Sequence, residues 1–252
     1  MSSAQAQQPA CFNARASQNT ARQGANQGSF RPDVSSDGRY VVFESMATNL
    51  DPWDTQPQFD IFVRDFTSGT TQRVSTPSNT VVPNADSRLP SISADGQRVV
   101  FESAASNLVS GDTNGKVDIF LWTRSTGQLT RVSVASSGAQ ADADCEKARI
   151  SGDGRFVVFE SRASNLNPAK HTSHRDVYVR DLLLGTTRCA SLNQFGQPGD
   201  RDSFSGSISA DGNRVAFESE STNMLFWDTN NHNDVYVRDF AANSIARAST
   251  TW

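Results

Sequence analysis

Lysine is scarce in this 252-residue chain: only Lys116, Lys147 and Lys170 occur. Lys and Arg together number 23 against 27 Asp and Glu, a formal net charge of −4, and no basic cluster stands out. That argues against a protein that captures nucleic acid through its charge. Long apolar runs are missing as well. Stretches such as Ile119–Trp122 and Met224–Trp227 fall far short of the ~20 residues a membrane-spanning helix needs. Met1 is followed by Ser-Ser-Ala-Gln-Ala-Gln-Gln and not by a basic and apolar leader. No histidine belongs to a recognisable nucleophile motif with Ser or Cys, and Gly-x-Ser-x-Gly is absent, so nothing demands an enzyme. Three cysteines, Cys11, Cys145 and Cys189, are odd in number and share no metal-type spacing. One disulfide plus one free thiol, or three buried thiols, both fit. Low lysine with abundant Ser, Thr, Asn and Gln reads as a surface built for the outside of a cell. The expected location is therefore secreted or periplasmic, with a leader already removed and Met1 added.

What is present is repetition. Val34–Ser45, Ile92–Ser103, Ile150–Ser161 and Ile208–Ser219 align without a gap. Their Asp-Gly pairs begin at Asp37, Asp95, Asp153 and Asp211, each 58 residues after the last. The same step relates Asn49, Asn107, Asn165 and Asn223, and again Asp60, Asp118, Asp176 and Asp234. A strict period without insertions places every copy in an equivalent position of one repeating object.

Each copy carries only β signals. A short run, Pro32–Ser35, meets Asp37-Gly38, whose pairing predicts a type I′ hairpin turn with positive φ at both residues. Arg39–Ser45 alternates, with Val41 and Phe43 on one face and Val42 and Glu44 on the other. Asp60–Asp65 makes a third strand, and a tight turn at Gly69 leads into a fourth, Thr70–Ser75. Gly127 and Gly185 repeat that turn, and Asn243, which tolerates the left-handed region, replaces them in the last copy. Four strands per repeat predict an all-β fold, a β-propeller of four-stranded blades. The blades fall at about 31–75, 89–133, 147–191 and 205–249, within one domain spanning 11–252, behind a disordered segment 1–10. Strands of a blade run up and down, so the long connections all emerge on one face, where binding usually resides. One segment is left over: Phe12–Ser17 matches the fourth strand of every copy. This extra N-terminal strand adds to the last blade of a closed ring, pairs with a neighbouring chain, or belongs to a longer propeller.

The blocks Ile92-Ser-Ala-Asp-Gly96, Phe101–Leu108, Gly111–Phe120 and Thr130-Arg-Val-Ser133 resemble the PD40, or TolB-like, WD40-related propeller repeats of bacterial proteins, over about residues 11–250. The resemblance implies the propeller fold and a secreted or periplasmic module for binding or scaffolding, with varied partners. The envelope-assembly role of the family's namesake, which has an additional N-terminal domain, is not carried over. Members usually have six or more blades, so four leave ring closure open.

Several residues are candidates for chemistry. Asp112, Asn114 and Asp118, echoed by Asp228, Asn230 and Asp234, place oxygen ligands at alternating positions and can wrap Ca²⁺, although they are few for a full calcium loop. The alternative is a network of Asx turns. His171, His174 and Asp176 form a weaker transition-metal candidate. Glu44, Glu102, Glu160 and Glu218 occupy equivalent strand positions. They either converge on a cation or pair with arginines and amides between blades. The Arg64-Asp65, Arg180-Asp181 and Arg238-Asp239 pairs read as contacts between blades. Trp53 and Trp227, with Phe195, Phe204 and Phe226, lie in or near long connections. Exposed rings among amides suit a sugar or peptide, unless they pack under their own loops. The expected function is a non-catalytic binding or assembly module, engaging a protein partner or a second copy through the long-loop face or the terminal strand. The alternative is a secreted, calcium-dependent lectin. A glycan-cleaving enzyme needs an asymmetric cluster of acids that the sequence does not offer.

Overall fold

The computed structural model describes residues 13–78, 81–168, 173–226 and 231–250. They form four antiparallel sheets of four strands each, and each sheet follows chain order. Blade one contains β1 (Ser29–Val34), β2 (Tyr40–Ser45), β3 (Asp60–Asp65) and β4 (Thr70–Arg73). Blade two contains β5 (Ser87–Ile92), β6 (Arg98–Ser103), β7 (Asp118–Thr123) and β8 (Gln128–Arg131). Blade three contains β9 (Cys145–Ile150), β10 (Phe156–Ser161), β11 (Asp176–Asp181) and β12 (Thr186–Cys189). Blade four contains β13 (Ser203–Ile208), β14 (Arg214–Ser219), β15 (Asp234–Asp239) and β16 (Ser244–Arg247).

The second and third strands bury both faces, which explains their near-continuous apolar character. Blade one turns Val42, Ile61 and Val63 toward blade two, where they meet Val99, Phe101, Phe120 and Trp122. Val100, Ile119 and Leu121 meet Val157, Phe159 and Tyr178 in the next seam, and Val158, Val177 and Val179 meet Val215, Phe217 and Tyr236 in the last. Every blade thus has one aliphatic face and one aromatic face. In each blade two rings stack across the central strands, 5.8–5.9 Å apart. Blades pack one on two, two on three and three on four. A fourth, smaller cluster, Phe43, Ala47, Leu50 and Phe62, lies on the outer face of blade one, against Ala16 and Ala25. No apolar cluster joins blade four to blade one among the described residues.

Three details differ from the sequence expectation. The Asp-Gly hairpins are not type I′. Only the glycines take positive φ, 69–73° at Gly38, Gly96, Gly154 and Gly212. The Asp37 carboxylate instead accepts bonds from Ser35 Oγ and the Arg39 amide, which fastens an ordinary turn closed by a left-handed glycine. Asn243 takes φ 49° in the place of Gly69, as its chemistry allows.

The first strand begins earlier than expected, at Ser29 and its equivalents, and the fourth ends earlier, at Arg73 and its equivalents. The first strand carries a bulge between Phe30 and Asp33, with Arg31 at φ 50°. Its polar, non-alternating sequence hides the earlier pairing.

Residues 13–17 form no ladder in this chain, because a fourth strand needs a third strand beside it. Gln18 pairs only with Gly24, as Val134 does with Gln140 and Leu192 with Pro198 in the links between blades. Residue 12 and the segment 1–10 lie outside the described residues.

Candidate functional site

The polar residues that recur with the 58-residue period are used to hold the blades. The Ser75 hydroxyl donates to Asp60 and accepts the Ile61 amide, so the end of the fourth strand is tied to the start of the third. Ser133 binds Asp118, Ser191 binds Asp176 and Ser249 binds Asp234 in the same way. The long connections are stapled in pairs. Asn49 accepts the Asn26 amide and donates to Gly24 O, both at 2.9 Å, which locks the loop within blade one to the link leading into it. Asn107, Asn165 and Asn223 repeat this arrangement. The long-loop face is therefore a stiff surface.

The glutamates do not converge on a cation. Glu44 Oε2 accepts the amide of Leu89 at 2.8 Å, Glu102 that of Lys147 at 2.7 Å and Glu160 that of Ser205 at 2.6 Å. Each of these amides belongs to the positive-φ bulge residue of the following blade. A charge-assisted bond of this kind fixes the register of one blade on the next. Glu160 also meets Lys147 and Arg175. The Arg-Asp pairs divide their work. Asp65 and Asp181 bind Arg39 and Arg155 within their own blades. Arg180 and Arg238 reach back to the carbonyls of Ala135 and Ala190 in the preceding link, and Arg64 reaches Asn19 O.

The calcium candidate in blade two already contains a cation. Arg131 lies 2.9 Å from Asp112 and 3.5 Å from Asp118. Asn114 turns its amide N–H, not its carbonyl, to Asp118 at 2.9 Å, where it donates. The guanidinium thus neutralises the two carboxylates that the calcium expectation rests on. Arg247 likewise lies 3.2 Å from Asp234, while Asp228 and Asn230 fall outside the described residues. Among the described residues no group of three or more His, Cys, Asp and Glu could hold a metal ion. His174 faces Asp202 at 3.6 Å, Asp176 is engaged by Ser191, and His171 lies outside the described residues. Cys145 and Cys189 are buried in one seam, and burial pushes the Cys145 thiol up to about 12.

Blade one breaks the pattern. Arg73, fully buried, serves three acids: Asp51 at 3.2 Å, Asp54 at 3.5 Å and Asp60 at 3.4 Å. Asp54 Oδ2 has no hydrogen-bond partner among the described residues. Burial, with Asp60 beside it, pushes Asp54 up to about 6. Beside this cluster lies an open pocket of about 430 Å³, lined by Trp53, Asp51, Asn49, Asn19, Gln72 and Arg73 among others. Trp53 is 56% exposed, and its amide donates to Asp51.

Of the other nominated rings, Phe195 and Phe226 are about 70% exposed on two connections joined by the Gln194 amide and Met224 O. Phe204 is not in a long connection: it is half-buried on β13, opposite Glu218. Trp227 lies outside the described residues. Asp51 and Arg73 were not singled out from the sequence, although Arg73, Arg131 and Arg247 share the 58-residue step and could have been paired with the loop acids.

No protein-family model matches the chain, and no curated protein matches it. Solved structures do. TolB from Acinetobacter baumannii is 19% identical with a TM-score of 0.54, over 91% of this chain and 45% of that one. The β-propeller domain of the Trilobed protease from Pyrococcus furiosus, described as having an open velcro topology, gives 11%, 0.53, 91% and 59%. An oligogalacturonate lyase in complex with manganese gives 15%, 0.55, 92% and 56%. The chain thus spans about half the length of these structures. At such identities the likeness shows the fold alone: a TolB-like β-propeller.

Proposed function

We propose that this chain is a non-catalytic binding module that engages a protein partner through its long-loop face and assembles through its terminal blades. One observation carries the reading. The recurrent acids, arginines and amides are spent on holding blades together, whereas Trp53, Phe195 and Phe226 stand more than half exposed on stapled connections. Aromatic anchors on a stiff polar surface suit recognition of a peptide or protein surface. The lysine-poor, amide-rich composition supports a secreted or periplasmic setting. The test is selection from a displayed peptide library, followed by binding to the triple variant Trp53→Ala, Phe195→Ala, Phe226→Ala. Selected peptides are expected to lose at least tenfold in affinity for the triple variant. Undiminished binding would defeat the reading.

A second reading, glycan binding, is favoured by the blade-one pocket, where one exposed indole stands among Asn19, Asn49, Asp51 and Gln72. Oligosaccharides that blue-shift tryptophan emission in the native protein but not in Trp53→Phe would support it.

A further inference from the structure

The two outer faces of the array are copies of the faces that meet in its seams. On blade one, Val34 is 53% exposed, whereas its equivalents Ile92 and Ile150 are 6% and 8% exposed. Val41 is half-buried, while Val99, Val157 and Val215 are fully buried. On blade four, Val235 is 39% exposed, while Ile61, Ile119 and Val177 are fully buried. Blade one therefore presents an aromatic face and blade four an aliphatic face, the two halves of every seam in the molecule.

Polar groups at the two ends match as well. Each seam is locked by a glutamate that accepts the bulge amide of the next blade. Glu218, the fourth copy of that glutamate, has no side-chain hydrogen bond or ion pair among the described residues. Arg31 is the bulge residue of blade one, at φ 50°, and among the described residues no glutamate accepts its amide.

The segment before blade one completes the match. Arg15 and Ser17 stand in the repeat where Arg73 and Ser75, Arg131 and Ser133, and Arg247 and Ser249 stand. In those blades the Arg-x-Ser unit binds the aspartate that opens the third strand. Arg15 is exposed and is bound to no acid among the described residues. Clefts of about 830 Å³ and 370 Å³ flank residues 14–18 on the blade-one face, the space that the inner strands of a preceding blade would fill.

We propose that blade four of one copy docks on blade one of a second copy, head to tail. β13–β15 seat against Val34, Val41 and Phe43 of the second copy, and its Arg31 amide donates to Glu218. Residues 13–17 and β16 are two candidates for one lane. In the assembly residues 13–17 of the second copy take it, with Arg15 and Ser17 on Asp234, and β16 is displaced. Such an interface is heterologous and must either close or grow. Two four-bladed arcs joined at both ends make eight blades, which lies within the range that propellers use. The occupant is a second copy because the missing surface repeats this chain's own seams, residue for residue. The inference develops the assembly part of the proposed function and leaves the long-loop part independent.

The experiment is light scattering of the native chain across a hundredfold range of concentration, with Glu218→Arg and Arg15→Glu alongside. A mass twice that of the chain is expected, and at least a tenfold weaker association is expected in each variant, with thermal melting reporting that both still fold. Mixed Ala14→Cys and Val237→Cys proteins are expected to cross-link under mild oxidation, since position 14 is the repeat equivalent of Ala246, which pairs with Val237. A monomer at every concentration would overturn the proposal, as would a dimer indifferent to both charge reversals. The triple variant at Trp53, Phe195 and Phe226 is expected to keep the dimer while losing its peptides, so the two readings can fail separately.

Discussion

The three seams and the two outer faces are made of the same residues at the same spacing, yet only the seams are closed. Val99 and Val157 are fully buried between sheets, whereas Val41, at the same position, is half-buried beside open clefts. Phe43 is itself buried, but under the segment around Ala16 rather than under a sheet, and it lines one of those clefts. Glu102 and Glu160 each lock a neighbour's amide; Glu218 does not. The difference teaches that a repeat does not determine its own environment. A side chain acquires its energetic weight from the blade that covers it, and the terminal copies lack that cover.

The largest effect that would sharpen this contrast is Phe159→Ala. Phe159 is stacked on Tyr178 inside a seam, so its truncation is expected to cost about 3–5 kcal/mol. Phe43→Ala at the open end is expected to cost about half as much, because the surroundings can relax or hydrate. Urea denaturation of both, under conditions where the chain is monomeric, decides it; equal losses would break the comparison.

Next in size is Glu160→Ala, which leaves the Ser205 amide without its charged acceptor. A loss of about 2–3 kcal/mol is expected, against less than about 0.5 kcal/mol for Glu218→Ala in the monomer.

The Arg73 cluster gives a pH signature. Asp54 binds its proton more tightly folded, at about 6, than at its ordinary value of 3.8. The folded state therefore holds the extra proton between these values, and stability falls as pH rises through that window. Asp54→Asn is expected to remove the decline and to stabilise the protein by on the order of 2 kcal/mol at pH 7.5. Melting curves from pH 4 to 8 measure it, and a variant that keeps the wild-type slope would refute the assignment.

The smallest effect concerns the turn in blade four. Asn243→Val forces a β-branched residue into the left-handed region, with an expected loss of about 1 kcal/mol. Asn243→Gly should be near neutral, because the relief of strain is offset by greater freedom in the unfolded chain. Thermal melting of the pair tests whether the turn, and not a side-chain contact, sets the preference.

Much of the architecture was legible because the period is strict. Asp60, Asp118, Asp176 and Asp234 recur without insertion, so the blades and their third strands could be marked from spacing alone. The bulge at Arg31 was not legible, since Ser29–Asp33 shows neither alternation nor a turn signal. The Asp-Gly hairpins misled for a local reason. The same dipeptide serves two turn types, and the Ser35 hydroxyl, by binding Asp37, selects the one with a single positive φ. The partner of the loop acids was hidden for a tertiary one. Asp112 and Asp118 look like metal ligands until Arg131, on the edge strand of the same blade, is placed between them.

The chain by itself determined the four strands of each repeat, the blade order, the alternation that makes every sheet two-sided and the turns that need glycine or asparagine, because these depend on neighbours close in sequence. Only the tertiary structure decided which charges are neutralised, which of the four glutamates lock a seam and which faces remain uncovered. The first depends on side chains that the folding of a blade brings together, as Arg131 is brought to Asp112 and Asp118; the other two depend on what stands a repeat away, across a seam that one repeat cannot see.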